Sequence, residues 1–285
     1  MQVYLNGAYV DAADAKVSVD DRGFLFADGV YEVIRVYDGR PFLAEPHIRR
    51  LREGLLAVRM EPGVADTVMP AAERLLDANE LRQGDVTIYI QVTRGASPRK
   101  HAFPPAGVPP TVYIATKPFA QHPTAYFEEG VAAITVPDMR WSRCDIKSVS
   151  LLPNILANQQ AKDAGAFEAL FVRDGVVIEG SHSNLCAVID GVLVTYPECN
   201  YVLGGITRRI VLEIARELDI PVREGAILLE HLEVAQELFL SGTTTEIMPV
   251  TVVDGRPVGA GEPGPITRRL LQAYRERAGL AIGVV

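Results

Sequence analysis

One lysine stands inside an apolar and small-residue run, "RCDIKSVSLLPN" at residues 143–154. The chain has five lysines among its 28 basic residues, so most of its positive charge is arginine. Of the five, Lys147 alone has strand-like apolar neighbours, Ile146 and Val149. Two readings are open. An edge-strand lysine would keep its ammonium in water. A lysine in a low-dielectric site has its pKa pulled down. That frees a neutral amine to attack a carbonyl, as Schiff-base chemistry requires, and arginine cannot supply such an amine.

Two stretches suit an anion. "LGGITRR" (203–209) puts glycines just ahead of a helical pattern. Unpaired backbone N–H groups and the helix dipole there favour negative charge. "SGTTTE" (241–246) is a donor-rich turn after a strand. Neither is a Walker motif or a dinucleotide fingerprint, and each taken singly reads first as a helix cap or a turn. Two such loops and a buried lysine together suggest one phosphorylated aldehyde. Glu179, ending a strand in "VVIEGSHSN", is either solvated or aimed at a heterocyclic nitrogen that must stay protonated. "VTRGASPRKHAFP" (92–104) is a loop presenting Arg99 and His101, with prolines limiting its freedom. It reads as a solvated basic loop unless something recruits those cations.

The elements that must position these residues are legible in outline. Residues 2–11 form a hairpin around Asn6-Gly7, and "VYEVIRVYDGRPFLA" a second around Asp38-Gly39. "EPHIRRLREGLLAVRM" and "ADTVMPAAERLLDANE" follow as helices, the second despite an internal proline. "DVTIYIQVTRG" and "TVYIATKPF" are strands flanking a Pro/Gly-rich loop. Residues 1–115 thus make a smaller N-terminal α+β domain, and 116–127 a linker. Residues 128–285 make a larger domain: "GVAAITVP" is a strand, and "PNILANQQAKDAG" a helix opening on a permitted proline. Strand-turn-strand units with Asp174-Gly175 and Asp190-Gly191 follow, then a glycine-led helix, a further strand, hairpin and closing helix.

Bulk properties exclude several classes. A net charge of −8 argues against a nucleic-acid partner. No apolar run approaches the roughly 20 residues of a membrane span, and nothing resembles a signal peptide. Cys144, Cys186 and Cys199 are odd in number and unrelated in spacing. That argues against a disulfide framework and against a metal site, and suits a reducing cytoplasm.

Taken together these residues resemble the fold-type IV pyridoxal-phosphate-dependent aminotransferase family over nearly the whole chain. The family signature reads here as Glu179, Ser181, Asn184 and Thr195, then Leu203-Gly204-Gly205-Ile206-Thr207-Arg208. Cys186 stands where an aromatic is usual, a packing change. "FADGVYEVIRVYDG" and "PHIRRL" look like the family's early strand and phosphate-binding arginine. The resemblance implies an α/β (α+β) two-domain fold whose larger domain has a β-barrel-like core. It implies pyridoxal 5'-phosphate as cofactor, with Lys147 as Schiff-base lysine and proton shuttle, and Glu179 as partner of the pyridine nitrogen. Arg50, Ile206, Thr207, Gly242 and Thr243 would hold the phosphate, and Leu203 would pack on the ring. His182 stands where a small hydroxyl residue is common.

"RGxxPRxH" resembles the D-amino-acid branch. There Arg99 and His101 match a trap for the substrate's α-carboxylate, lent by the neighbouring subunit together with Tyr31. Arg35 stands where a lysine is familiar. The implied reaction is ping-pong transfer of an amino group from a D-amino acid, such as D-alanine or D-glutamate, to a 2-oxo acid such as 2-oxoglutarate. It would proceed through pyridoxamine phosphate in a cytoplasmic homodimer acting on small-molecule amino acids and 2-oxo acids. Alternatives are a branched-chain L-amino-acid aminotransferase, an (R)-amine transaminase, aminodeoxychorismate lyase, or a non-catalytic pyridoxal-phosphate carrier.

Overall fold

The computed structural model describes residues 1–280. They fall into two compact units. The first is Met1–Gln121 with Ile146–Ser150, and the second is His122–Asp145 with the chain from Leu151 onward.

The first unit opens with β1 (Gln2–Leu5), β2 (Ala8–Asp11), α1 (Arg22–Phe26), β3 (Gly29–Tyr37) and β4 (Arg40–Pro41). It continues with α2 (Ala44–Ala57), α3 (Ala65–Ala78), β5 (Asp85–Thr93) and β6 (Thr111–Pro118). Its six-stranded sheet runs β2-β1-β6-β5-β3-β4, with every described pairing antiparallel. β5 alternates: Val86, Ile88, Ile90 and Val92 are buried while the residues between them are half-buried. Period two places those four on one face. On α3, Val68, Ala71, Ala72, Leu75 and Leu76 repeat at three and four residues and join the same core with Leu51 and Leu55 of α2. Fully burying one such aliphatic side chain contributes about 1.5–3 kcal/mol. Pro70 lies inside α3, as the sequence reading allowed.

The second unit contains α4 (Thr124–Glu128), β7 (Val131–Pro137), α5 (Leu152–Asp163), β8 (Glu168–Arg173), β9 (Val176–Gly180), β10 (Asn184–Ile189) and β11 (Val192–Thr195). Then come α6 (Ile206–Glu217), β12 (Val222–Glu224), β13 (Ile227–Leu228), α7 (His231–Val234), β14 (Glu237–Gly242), β15 (Glu246–Val253), β16 (Arg256–Pro257) and α8 (Pro265–Arg277). The mixed ten-stranded sheet, curled into a half-barrel, runs β12-β11-β10-β14-β15-β7-β8-β9-β13, with β16 on β15. β10 and β14 are buried along almost their whole length. Such unbroken apolar strands are covered on both faces, and α6 and α8 pack on β14. The expected α/β fold with a barrel-like larger part is what the chain adopts.

Five hairpins, β1–β2, β3–β4, β8–β9, β10–β11 and β15–β16, close on two-residue Asn-Gly or Asp-Gly turns with both residues at positive φ. Those turns match the right-handed strand twist, which is why the sequence located them. Two details differ from the sequence reading. The expected linker, 116–127, takes in the end of β6 and the start of α4. The stretch around Lys147 is not a strand. It is irregular chain touching β3 through one antiparallel bridge, Val30 to Ser148. It belongs to the first unit because Ile146 enters that unit's core.

Candidate active site

In the first unit, two backbone bonds fix the lysine segment. Tyr31 N donates to Lys147 O at 3.0 Å, and Val149 N to Gly29 O at 3.1 Å. Lys147 is half-buried, with Nζ 4.4 Å from the centre of the Tyr31 ring. A ring face attracts a cation and covers part of its surface. Tyr31 in turn lies 5.9 Å from the Tyr89 ring, and Tyr89 lies 6.2 Å from Tyr113. Tyr89 donates to Gln91 Oε1 at 2.7 Å, and burial pushes its hydroxyl up to about 12. Since β3 alternates, Tyr31 and Glu32 face opposite sides of the sheet.

Glu32 is completely buried on the helix side. Arg50 holds it with two bonds, Nε to Oε1 at 2.7 Å and Nη2 to Oε2 at 2.8 Å. His47 Nδ1 lies 2.7 Å from Oε2. Burial opposes charge on Glu32, but Arg50 and the His47 bond outweigh it and hold the carboxyl at about 2. Burial lowers His47, against the pull of Glu32, and the cations Arg50 and Lys147 add to that lowering. The fork of Arg50 is therefore fixed from within by a permanent carboxylate, an arrangement suited to presenting a guanidinium to an anion. Sequence reasoning found Arg50 and missed Glu32 and His47. The available signal was polar residues at inward positions: Glu32 between Val30 and Ile34, and His47 one turn before Arg50.

Arg99 and His101 are exposed on the loop joining β5 to β6. Both flank the half-buried ring of Phe26, the guanidinium at 5.1 Å and the imidazole centre at 5.6 Å.

In the second unit, Glu179 ends β9 with 4% of its surface exposed. Arg140 Nη1 donates to its Oε1, and Asn184 Nδ2 donates to Oε2 at 3.0 Å. The Leu203 N–H reaches Oε2 at 3.2 Å. Burial nonetheless pushes Glu179 up to about 7, against Arg140 and the Leu203 N–H. Arg140 is shared with Asp138, through Nε at 2.9 Å and Nη2 at 3.1 Å, and stacks on Phe171 at 4.2 Å. Burial raises Asp138, but Arg140 and Arg173 bring it below its ordinary value. Glu179 is thus poised to gain or lose a proton according to what charge faces it. Arg140 and Asp138 were not legible, because nothing in "PDMRW" says which carboxylate the arginine meets.

Asn184 also donates to Leu203 O at 2.9 Å, and a Cβ on Gly205 would lie 1.9 Å from its Oδ1. Only glycine lets the start of α6 come that close. Gly205 caps α6 without a side chain, so the first N–H groups, those of Ile206 and Thr207, have no partner within the helix. Asn184 pairs across the sheet with Ser241, which leads into Gly242 and Thr243. Ser241 Oγ and Thr245 Oγ1 are buried and lack a hydrogen-bond partner among the described residues. A buried hydroxyl without a partner costs roughly 1–3 kcal/mol, so this loop is built for an acceptor brought from outside. His182, whose role the sequence left open, lies with Nδ1 2.9 Å from Glu168 Oε2.

Within the second unit, the open N–H groups at the start of α6 and the unpartnered hydroxyls of Ser241 and Thr245 suit a phosphate monoester, and the Glu179 carboxylate suits a protonated ring nitrogen, two groups that pyridoxal phosphate carries. Within the first unit, the amine of Lys147 suits an aldehyde.

The family model described as Amino-transferase class IV matches residues 29–253. The chain is 42% identical over 276 residues to a D-alanine aminotransferase of Staphylococcus epidermidis, covering 96% of this chain and 97% of that protein. It is 41% identical over 276 residues to a D-alanine aminotransferase of Bacillus licheniformis, with 96% of each covered. Among solved structures, the Escherichia coli branched-chain amino acid aminotransferase superposes with a TM-score of 0.86 at 31% identity, over 96% of this chain and 93% of that one. The T.th. branched-chain amino acid aminotransferase with pyridoxamine 5'-phosphate gives 0.88 at 29%, over 98% and 95%.

Proposed function

The chain belongs to the class IV amino-transferase family, and we propose from that premise that it moves an amino group from a D-amino acid such as D-alanine to a 2-oxo acid. The observation that carries this reading is the likeness of 40–42% to D-alanine aminotransferases over 96% of the chain. The loop "RGASPRKH" and the half-buried Tyr31 support it.

Pyridoxal phosphate, when bound, supplies an aldehyde carbon that takes up amino groups and a ring that withdraws electrons from them. Lys147 is the residue to hold that carbon covalently, and its Nζ moves the substrate's Cα proton. The Tyr31 ring keeps that amine within a narrow range of positions. Glu179, held by Arg140, Asn184 and the Leu203 N–H, retains a proton at the ring nitrogen. A cation facing it favours its ionised form, which its resting value of about 7 makes accessible. Arg50, Ile206, Thr207, Gly242 and Thr243 are the residues that would hold the phosphate, and Leu203 the one that would pack on the ring, as the family pattern implies. Arg99, His101 and Tyr31 take the substrate carboxylate, since guanidinium and carboxylate match in a fork. Fixing the carboxylate on one side admits one enantiomer's Cα–H to Lys147.

A homodimer suits this reading. Leu152, Ile155 and Leu156 expose an apolar stripe on α5 that a second copy would cover. Among the described residues no helix is long and apolar enough to cross a membrane, and Cys144, Cys186 and Cys199 are free thiols. Those thiols fit a cytoplasmic protein.

The test is a panel of amino donors with the holoenzyme, followed by cofactor absorbance. D-alanine is expected to convert the cofactor and L-leucine is not. Conversion by L-leucine alone would favour the branched-chain reading, which draws on the solved structures of TM-score 0.86 and 0.88.

A further inference from the structure

The loop from Arg94 to Pro110 has no helix or strand of its own beyond one isolated bridge residue, yet its backbone is tied down at both roots and at its tip. Loops of this length are either functional or disordered. Most of the ties come from the short stretch 20–22 and from Asp28, while Arg94 also donates to Val58 O at 2.6 Å and to Arg59 O at 3.2 Å. Asp21, 1% exposed, accepts from Thr93 Oγ1 at 2.9 Å and from Thr111 Oγ1 at 2.6 Å, the last residue of β5 and the first of β6. Ser97 N donates to Asp20 O at 3.1 Å, and Arg22 N donates to Gly95 O at 2.9 Å.

The side chain of Arg22, 3% exposed, then reaches the tip. Its Nη1 donates to Lys100 O at 2.6 Å and Ala102 O at 3.3 Å, and its Nη2 to His101 O at 3.4 Å. Three successive carbonyls are gathered on one guanidinium. Its Nε donates to Asp28 Oδ2 at 2.8 Å, and Asp28 also takes Arg94 at 2.8 and 3.0 Å. Arg94 in turn stacks on Phe103 at 3.8 Å. Phe26, the ring flanked by Arg99 and His101, sits on the same short helix as Arg22.

We propose that Arg22 is the positioning residue for the carboxylate-recognising loop: it gathers the carbonyls of residues 100–102 and so fixes how Arg99 and His101 are presented. This rests on the reading that Arg99 and His101 take the substrate carboxylate. The planar fork is required, because one ammonium cannot span both Asp28 and three carbonyls. Substrate affinity, and not the chemistry at Lys147, is then what Arg22 sets.

The experiment compares Arg22→Met, Arg22→Lys and Arg99→Ala holoenzymes with wild type. Two readouts are used: trypsin cleavage after Arg99 and Lys100, located by mass spectrometry, and KM and kcat for D-alanine and 2-oxoglutarate. Arg22→Met is expected to speed cleavage about tenfold. It is also expected to raise KM for both acids about tenfold, with kcat within about threefold and cofactor absorbance unchanged. Arg22→Lys falls between, and it carries the comparison if the methionine variant does not take up cofactor. Unchanged cleavage in both Arg22 variants overturns the proposal. Faster cleavage and a raised KM for Arg99→Ala, without a raised KM for the Arg22 variants, overturns it too. If Arg99→Ala itself leaves KM unchanged, the carboxylate reading falls, and this proposal with it.

Discussion

Replacing Glu179 by glutamine is expected to make the cofactor-free protein more stable above neutrality, although it removes a buried ion pair. In the folded chain burial holds this carboxyl at about 7, against Arg140, whereas its ordinary value is 4.5. A carboxyl whose folded value is raised binds its proton more tightly when folded. Its contribution to stability is whole below 4.5 and is lost as pH rises through about 7. At about 1.4 kcal/mol per pH unit, that interval is worth about 3 kcal/mol. Glutamine copies the protonated carboxyl in shape and cannot ionise. The two proteins should therefore unfold alike near the lower end of that interval and diverge by about 3 kcal/mol above its upper end. Urea unfolding of both cofactor-free proteins across the range, followed by circular dichroism, measures the divergence. Subtracting the curves removes the groups that titrate alike in both. Parallel curves, or a variant less stable at the alkaline end, would show that the attraction of Arg140 exceeds the cost of burial and would refute the argument.

Lys147→Ala should abolish turnover while the cofactor still binds, now removable by dialysis; measurable turnover would remove the lysine from its role. Arg99→Ala should raise KM for D-alanine and 2-oxoglutarate with cofactor absorbance unchanged, and loss of cofactor instead would show that this loop serves another purpose. Gly205→Ala places a methyl 1.9 Å from Asn184 Oδ1, so it should displace the side chain that ties Glu179 to Leu203 and weaken cofactor binding at least about tenfold. Titration of the cofactor-free variant with pyridoxal phosphate reads this, and wild-type affinity would contradict it.

The hairpins were legible because Asn-Gly and Asp-Gly carry the turn geometry in two residues. The helices were legible because their apolar spacing repeats. Lys147 misled in one respect. Apolar neighbours at 146 and 149 read as an extended strand, but Ile146 is buried as part of the first unit's core, and a single bridge at Ser148 holds the segment. The residues that answer the proposed site from behind were hidden for a common reason. Glu32, His47, Arg140 and Asp138 acquire meaning only from partners 2 to 39 residues away, and one sequence does not say who faces whom. Asn184 was part of the family pattern, yet its work as a tie between Glu179, Leu203 and the α6 start is visible only in three dimensions.

The return of residues 146–150 to the first unit has a bearing on synthesis at the ribosome. Translation of Met1–Gln121 leaves that unit's core lacking Ile146. Its last strand contact waits until Ser148 has left the exit tunnel, by which time the opening strand of the other unit has also been made. Folding in order of emergence is therefore interrupted here, and a gene fragment ending at 121 would encode a module without Lys147. A recombination that exchanged the whole first unit and nothing else would need three crossovers rather than one.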